Sequence, residues 1–188
     1  MVKTLIFALL ATMCATFLWG CGGKVSYTTV DGTMLGTTLH VVADVQGTSP
    51  QELYAAVMAI DREAKASMSI FDPASLLSRL NRNETDSVDR HIAFNLRLAD
   101  SIGALSGGRY DVTVKPLVEA WGFAGKAAQA HPNVDSILDF VGREKVRIER
   151  GRLVKSDPRV QLDFNSVAKG YTVDLLAELV ERFGAENY

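Results

Sequence analysis

Asp163, Ser166 and Lys169 stand close together where the spacing of apolar residues changes from alternation to a helical period. Lys169 falls in what reads as the first turn of a helix, where unpaired backbone N–H groups and the positive end of the helix dipole face outward. Such a turn is a place for an anion. Asn165 or Ser166 is placed to cap it, and Asp163 sits at the exit of the preceding strand. Gly170 costs the helix about 1 kcal/mol relative to Ala, and a close approach of backbone to another group would explain it. Because many helix starts carry caps and lysines without a ligand, these residues alone leave a phosphate site and an ordinary helix start both open.

The elements that must hold this turn can be read along the chain. Val160, Leu162 and Phe164 alternate with polar neighbours as a half-buried strand does; Ala168, Tyr171, Leu175, Leu176, Leu179, Val180 and Phe183 then share a helical face that Gly184 can end. Thr28 to Val45 reads as strands, with Thr33 to Val45 one strand carrying Gly36 inside it, either as a bulge or as a point of close approach. Ser49-Pro50-Gln51-Glu52 is a capping box with proline at the first helical position, followed by Leu53, Val57, Ile60 and Ala64 on one face. Pro73 pushes the preceding residue out of the helical region, so Met68 to Pro73 is a loop; Phe71 on it either covers a planar ligand or plugs the core. Ser75 to Leu80 forms a short helical turn ending at Asn81.

Asp89 can cap a helix to Ser106 with Ile92, Leu96, Ala99 and Gly103 in one strip and Leu98, Ile102 and Leu105 beside it, ended by Gly107-Gly108. Arg109 to Val114 is extended, and Pro116 opens a turn of helix through Trp121 to Gly122-Phe123. Two aromatics beside two glycines and Asp111 suit a pocket for a flat ring system, although Trp121 taken alone reads as core. Val134 to Val141 reads as a helix closed by Gly142, and Glu144 to Glu149 with Leu153 to Ser156 as a β-hairpin around Arg150-Gly151.

Composition narrows the function classes. With 47% hydrophobic and 22% charged residues the chain can bury a real core, and a net charge of −2 without a basic stripe argues against DNA or RNA as partner. Both cysteines, Cys14 and Cys21, lie in the first stretch, so the folded part has no thiol for nucleophilic or redox chemistry. His40, His91 and His131 lack the spacing of a local zinc site. Met1 to Gly20, with Lys3 ahead of an apolar run, has the layout of a secretory signal. Leu18-Trp19-Gly20-Cys21 resembles a lipobox, which implies cleavage before a diacylated Cys21; an uncleaved N-terminal anchor is the alternative. Residues 21–27 then form a tether, and the body is expected outside the cytoplasm of a bacterial cell, anchored to the envelope.

Several motifs in one order carry a resemblance. Leu35-Gly36-Thr37, Met68-Ser69-Ile70-Phe71 with Ser75 to Asn81, Gly108 to Val118 with Trp121-Gly122-Phe123, and Leu162 to Tyr171 with Val173-Asp174 together resemble the ApbE-like flavin transferase lipoproteins, the FAD:protein FMN transferases. The resemblance implies an α+β fold, a mixed and largely antiparallel sheet packed with helices, with residues 28–188 forming the N-terminal portion of one domain that is incomplete at its C-terminus. It implies Mg²⁺-dependent transfer of FMN from FAD to a threonine or serine hydroxyl of a target protein, such as a subunit of a membrane redox complex, with release of AMP. Leu35, Phe71, Arg109, Tyr110, Asp111, Asp163 and Lys169 are the implied flavin-binding residues. Ser166 is the implied Mg²⁺ ligand, with further ligands expected beyond Tyr188. Leu35 stands for a methionine, Phe71 for an aromatic that is commonly tyrosine, and Leu76 for a glutamate, a change read as one at the surface. The alternatives are an FAD pyrophosphatase giving FMN and AMP, and a non-catalytic flavin-binding envelope lipoprotein.

Overall fold

The computed structural model describes residues 25–188. The signal, the lipobox and Cys21 lie outside them. In chain order the elements are β1 (Thr28–Met34), β2 (Thr37–Ala43), α1 (Pro50–Met68), α2 (Leu76–Asn81), α3 (Arg90–Leu105), α4 (Lys115–Ala120), α5 (Val134–Leu138), a 3₁₀ turn (Arg143–Lys145), β3 (Val146–Glu149), β4 (Arg152–Lys155) and α6 (Ala168–Arg182). Helices pack with two antiparallel hairpins, β1-β2 and β3-β4, and a single parallel bridge joins Val114 to Gln161. The expected α+β class is what the chain adopts.

Gly36 is in a turn and not inside a strand. Thr28 pairs with Ala43 and Met34 with Thr37, which leaves Leu35 and Gly36 as a two-residue loop, both with positive φ, at 48° and 74°. That geometry matches the twist of a hairpin. A leucine there is strained, and its compensation lies in contacts: the Leu35 N–H donates to Asp61 Oδ1 of α1 at 3.0 Å, and its side chain packs against both core clusters. Asp61 is itself held by Lys65 one turn on, at 2.6 Å.

The capping box at Ser49 forms as expected, with Ser49 Oγ accepting from the Glu52 N–H and the Glu52 carboxylate accepting from the Ser49 N–H. Leu53, Val57 and Ala64 of α1 are buried while Ile60 is only half-buried. Asp89 caps α3 through the Ile92 N–H, and Ile92, Leu96, Ala99 and Gly103 face the core; Leu105, at the last turn, is almost wholly exposed. The expected helix to Val141 stops at Leu138. Gly184, in the left-handed region, ends α6.

Two apolar clusters result. One gathers Leu77, Leu80, Ile92, Leu96, Val112, Val160, Leu162 and Phe164; the other places the β1-β2 hairpin and α1 against Leu176, Leu179 and Val180 of α6. Helix α6 therefore enters the first cluster by its start and the second by its end. Leu76, expected at the surface, is partly buried against the first cluster because it opens α2 on the side where Leu77 and Leu80 are packed.

Asp44 closes the second cluster's rim. Its carboxylate accepts from the N–H groups of Glu186 and Asn187 and from the Asn187 amide, each at 2.8 Å. These bonds, the Asn187 side chain first, hold the acid below its ordinary value of 3.8. A depressed acid contributes stability that is fully present above its unfolded value and is lost as pH falls through the folded one. Unfolding titrations between about pH 5 and pH 2 should therefore show a steeper acid loss for the native protein than for Asp44→Asn.

Candidate functional site

The segment from Val160 to Phe164 is extended, and Val160, Leu162 and Phe164 are fully buried, as alternation predicts. It is not a ladder strand, however. Its backbone is taken by a side chain: Asn81 Nδ2 donates to Leu162 O at 2.9 Å while the Leu162 N–H donates to Asn81 Oδ1 at 2.7 Å. The amide does the work of one strand residue. On the next residue the Asp163 N–H donates to Val112 O at 2.8 Å, which ties this segment to the one carrying Arg109, Tyr110 and Asp111. Local pattern shows Asn81 only as a helix end; its i+4 relation to the buried Leu77 is the signal that its amide points inward.

The turn into α6 departs from expectation in a useful way. Neither Asn165 nor Ser166 caps the helix: the N-cap position falls to Val167, which makes no side-chain cap bond. The Val167 and Ala168 N–H groups return to Phe164 O. Asn165 is engaged by Asp163, whose Oδ1 accepts from the Asn165 N–H at 2.8 Å, and Ser166 Oγ is 2.8 Å from the Tyr110 hydroxyl. With both candidate caps diverted, the Lys169 and Gly170 N–H groups take no acceptor among the described residues. Lys169 is exposed, and a Cβ at Gly170 would meet nothing within 4 Å. The turn is open to an incoming anion.

Tyr110 reaches Ser166 because the chain can run close over α3. A Cβ added at Gly103 would lie 3.0 Å from the Tyr110 carbonyl, so glycine permits this approach. Asp111 points elsewhere, its Oδ1 accepting from the Thr113 N–H at 2.8 Å and from Thr113 Oγ1 at 2.7 Å, while Thr113 Oγ1 accepts from the Gly142 N–H. It lines a groove of about 440 Å³ with Leu96, Arg97, Arg143, Val146 and Arg147; none of the other expected flavin contacts lines that groove. Arg109 is exposed.

Phe71 does not plug the core. At 67% exposure it stands on a loop braced by Ser69, whose Oγ accepts from the Phe71 and Asp72 N–H groups and whose carbonyl accepts from Ser75 and Ser78 hydroxyls. Trp121, read as core, is also exposed, as is Phe123. The structure thus joins Tyr110 to Ser166 and Asp163 to Val112 directly. Leu35 and Tyr110 meet only through the cluster both pack against, and Lys169, Arg109 and Phe71 remain separate exposed groups.

A magnesium ion takes about six oxygen ligands and favours carboxylates. Among the described residues no three of His, Cys, Asp and Glu converge as a metal site, and Ser166 offers one neutral oxygen already paired with Tyr110. These residues do not by themselves fit Mg²⁺.

A family model described as the ApbE family matches residues 35–188. The chain is 32% identical over 203 residues to the FAD:protein FMN transferase of Haemophilus influenzae, covering 100% of this chain and 58% of that protein. It is 30% identical over 190 residues to the FAD:protein FMN transferase of Vibrio cholerae, covering 96% of this chain and 57% of that one. Among solved structures, the flavin transferase ApbE from Vibrio cholerae superposes with a TM-score of 0.79 at 28% identity, over 86% of this chain and 55% of that chain. The apo form of the flavinyl transferase ApbE of Pseudomonas stutzeri gives 0.80 at 25% identity, over 88% and 58%. The chain spans a little over half the length of these relatives.

Proposed function

Because this chain belongs to the ApbE family, we propose that the whole protein transfers the FMN half of FAD to a threonine or serine hydroxyl of a target protein, with Mg²⁺ and release of AMP. In this reaction the hydroxyl oxygen bonds to the FMN phosphorus, the bond from that phosphorus to the bridging oxygen breaks, and AMP leaves with the bridging oxygen. The hydroxyl proton is passed to the phosphate or solvent. No protein nucleophile is needed.

The observation that carries this reading is the uncapped start of α6, with the Lys169 and Gly170 N–H groups free beside an ammonium. Fixed donors of this kind hold phosphate oxygens without reorganising as charge shifts from the attacked phosphorus to the leaving group. Asp163 and Tyr110 are positioned next to that turn, and Leu35, Phe71, Arg109 and Asp111 are the remaining proposed flavin contacts. Ser166 is the single Mg²⁺ ligand proposed from this chain. The body is proposed to work at the bacterial envelope, tethered through Cys21.

The test is incubation of the full-length protein, freed of its signal, with FAD, Mg²⁺ and a target domain. Flavin fluorescence should remain on the target after denaturation, with AMP released in equal amount. Absence of covalent flavin overturns the reading, and release of FMN and AMP without acceptor replaces it with hydrolysis. Lys169→Ala should weaken FAD binding about tenfold, the equivalent of about 1.4 kcal/mol, with an unchanged melting temperature. Fluorescence titration and thermal melting check both halves of that expectation.

A further inference from the structure

A buried side-chain pair lies behind the anion-binding turn and has no part in the contacts described above. His91 of α3 and Tyr171 of α6 are both buried, and His91 Nδ1 lies 2.8 Å from the Tyr171 hydroxyl. The His91 and Tyr171 rings meet edge to face at 5.7 Å, and Phe94 stacks on Tyr171 at 4.7 Å. Arg90 Nε donates to His91 Nε2 at 3.4 Å and its guanidinium pairs with Glu63 of α1 at 3.0 Å. This network assigns the imidazole proton to Nδ1, so that Nε2 accepts from Arg90 and Nδ1–H donates to Tyr171. Burial lowers the His91 pKa, with Arg90 adding to the shift and Asp89 and Glu63 opposing it; burial raises that of Tyr171, with Asp89, Glu178 and Glu63 adding and Arg90 opposing; both groups are therefore neutral near pH 7.

Helix ends fray unless their first turn is held. Side-chain caps usually hold it, yet α6 has none, because Asn165 and Ser166 are bonded elsewhere. Tyr171 sits one residue after Gly170 and two after Lys169. We propose that His91 and Tyr171 are positioning residues that anchor the first turn of α6 from its side, in place of a cap, so that the Lys169 and Gly170 N–H groups are held still and left free for the FAD pyrophosphate. A cap would hold the same turn by consuming those donors. This tie leaves them available. Thr172 adds a bond within the same turn by donating its hydroxyl to Ala168 O at 2.7 Å.

The inference rests on the flavin-transfer reading, and FAD binding separates the two. Full-length protein with Mg²⁺ is titrated with FAD by fluorescence. Tyr171→Phe, which keeps the stack on Phe94, should weaken binding about fivefold, the size of a lost cap, and raise KM while kcat stays within about twofold. His91→Leu should match it. His91→Asn, which keeps an amide donor near the Nδ1 position, should recover binding to within about twofold of wild type. Wild-type FAD affinity in Tyr171→Phe, or failure of His91→Asn to improve on His91→Leu, overturns the inference, as does a fall in kcat as large as the fall in affinity, which marks a general structural role. No FAD binding by the wild type overturns the flavin reading itself, and this inference with it.

Discussion

Phe164→Ala is expected to destabilise the protein by about 4 kcal/mol. The ring is fully buried in the cluster that contains Leu77, Leu80, Ile92 and Leu162. Its removal loses the transfer free energy of the aromatic group and leaves a cavity that neighbours from three different segments cannot close together. The site would suffer too. The Phe164 carbonyl accepts from the Val167 and Ala168 N–H groups and so shapes the turn into α6. Denaturant unfolding of the full-length protein checks the loss, and a value under about 1.5 kcal/mol would contradict the packing described.

Asn81→Ala is expected to cost about 3 kcal/mol, because it strands two buried backbone groups at once, the N–H and the C=O of Leu162. Water cannot replace the amide, since Leu162 itself is fully buried. The loss should be local before it is global: Leu162 and Asp163 would exchange amide hydrogens faster than Leu80 does. Hydrogen exchange resolved by residue measures this, and unchanged protection at Leu162 would sink the account of Asn81 as a substitute strand residue.

Periodicity and capping chemistry made the helices legible. The box at Ser49, the cap at Asp89 and the apolar strip of α3 are local patterns whose energetics lie within a turn or two, and they formed as read. The β1-β2 turn was not legible because Leu35 is a poor residue for positive φ, and the contact with Asp61 that tolerates it comes from a helix 26 positions away. Alternation found the buried face of Val160 to Phe164 but could not reveal that a side chain would replace the neighbouring strand. Within the site, the residue types point to an anion, while the capping roles expected of Asn165 and Ser166 are redistributed by pairing with Asp163 and Tyr110. Ser166 looked like a cap and instead meets Tyr110, 56 positions earlier. Trp121 looked like core by its apolar ring alone, and nothing local says that its helix turns that ring outward.

The missing cap on α6 also constrains how this protein could be improved. A common route to a more stable protein is to place Asp, Ser or Thr at a bare N-cap, which here would mean Val167. Val167, however, is buried in the first cluster and its backbone is helical, whereas a capping residue is extended, so a polar side chain there would give up packing without closing over the N–H groups. The usual stabilising change is therefore closed to this helix, and a more heat-resistant chain would have to gain its stability away from the turn, which leaves the donors at Lys169 and Gly170 uncovered.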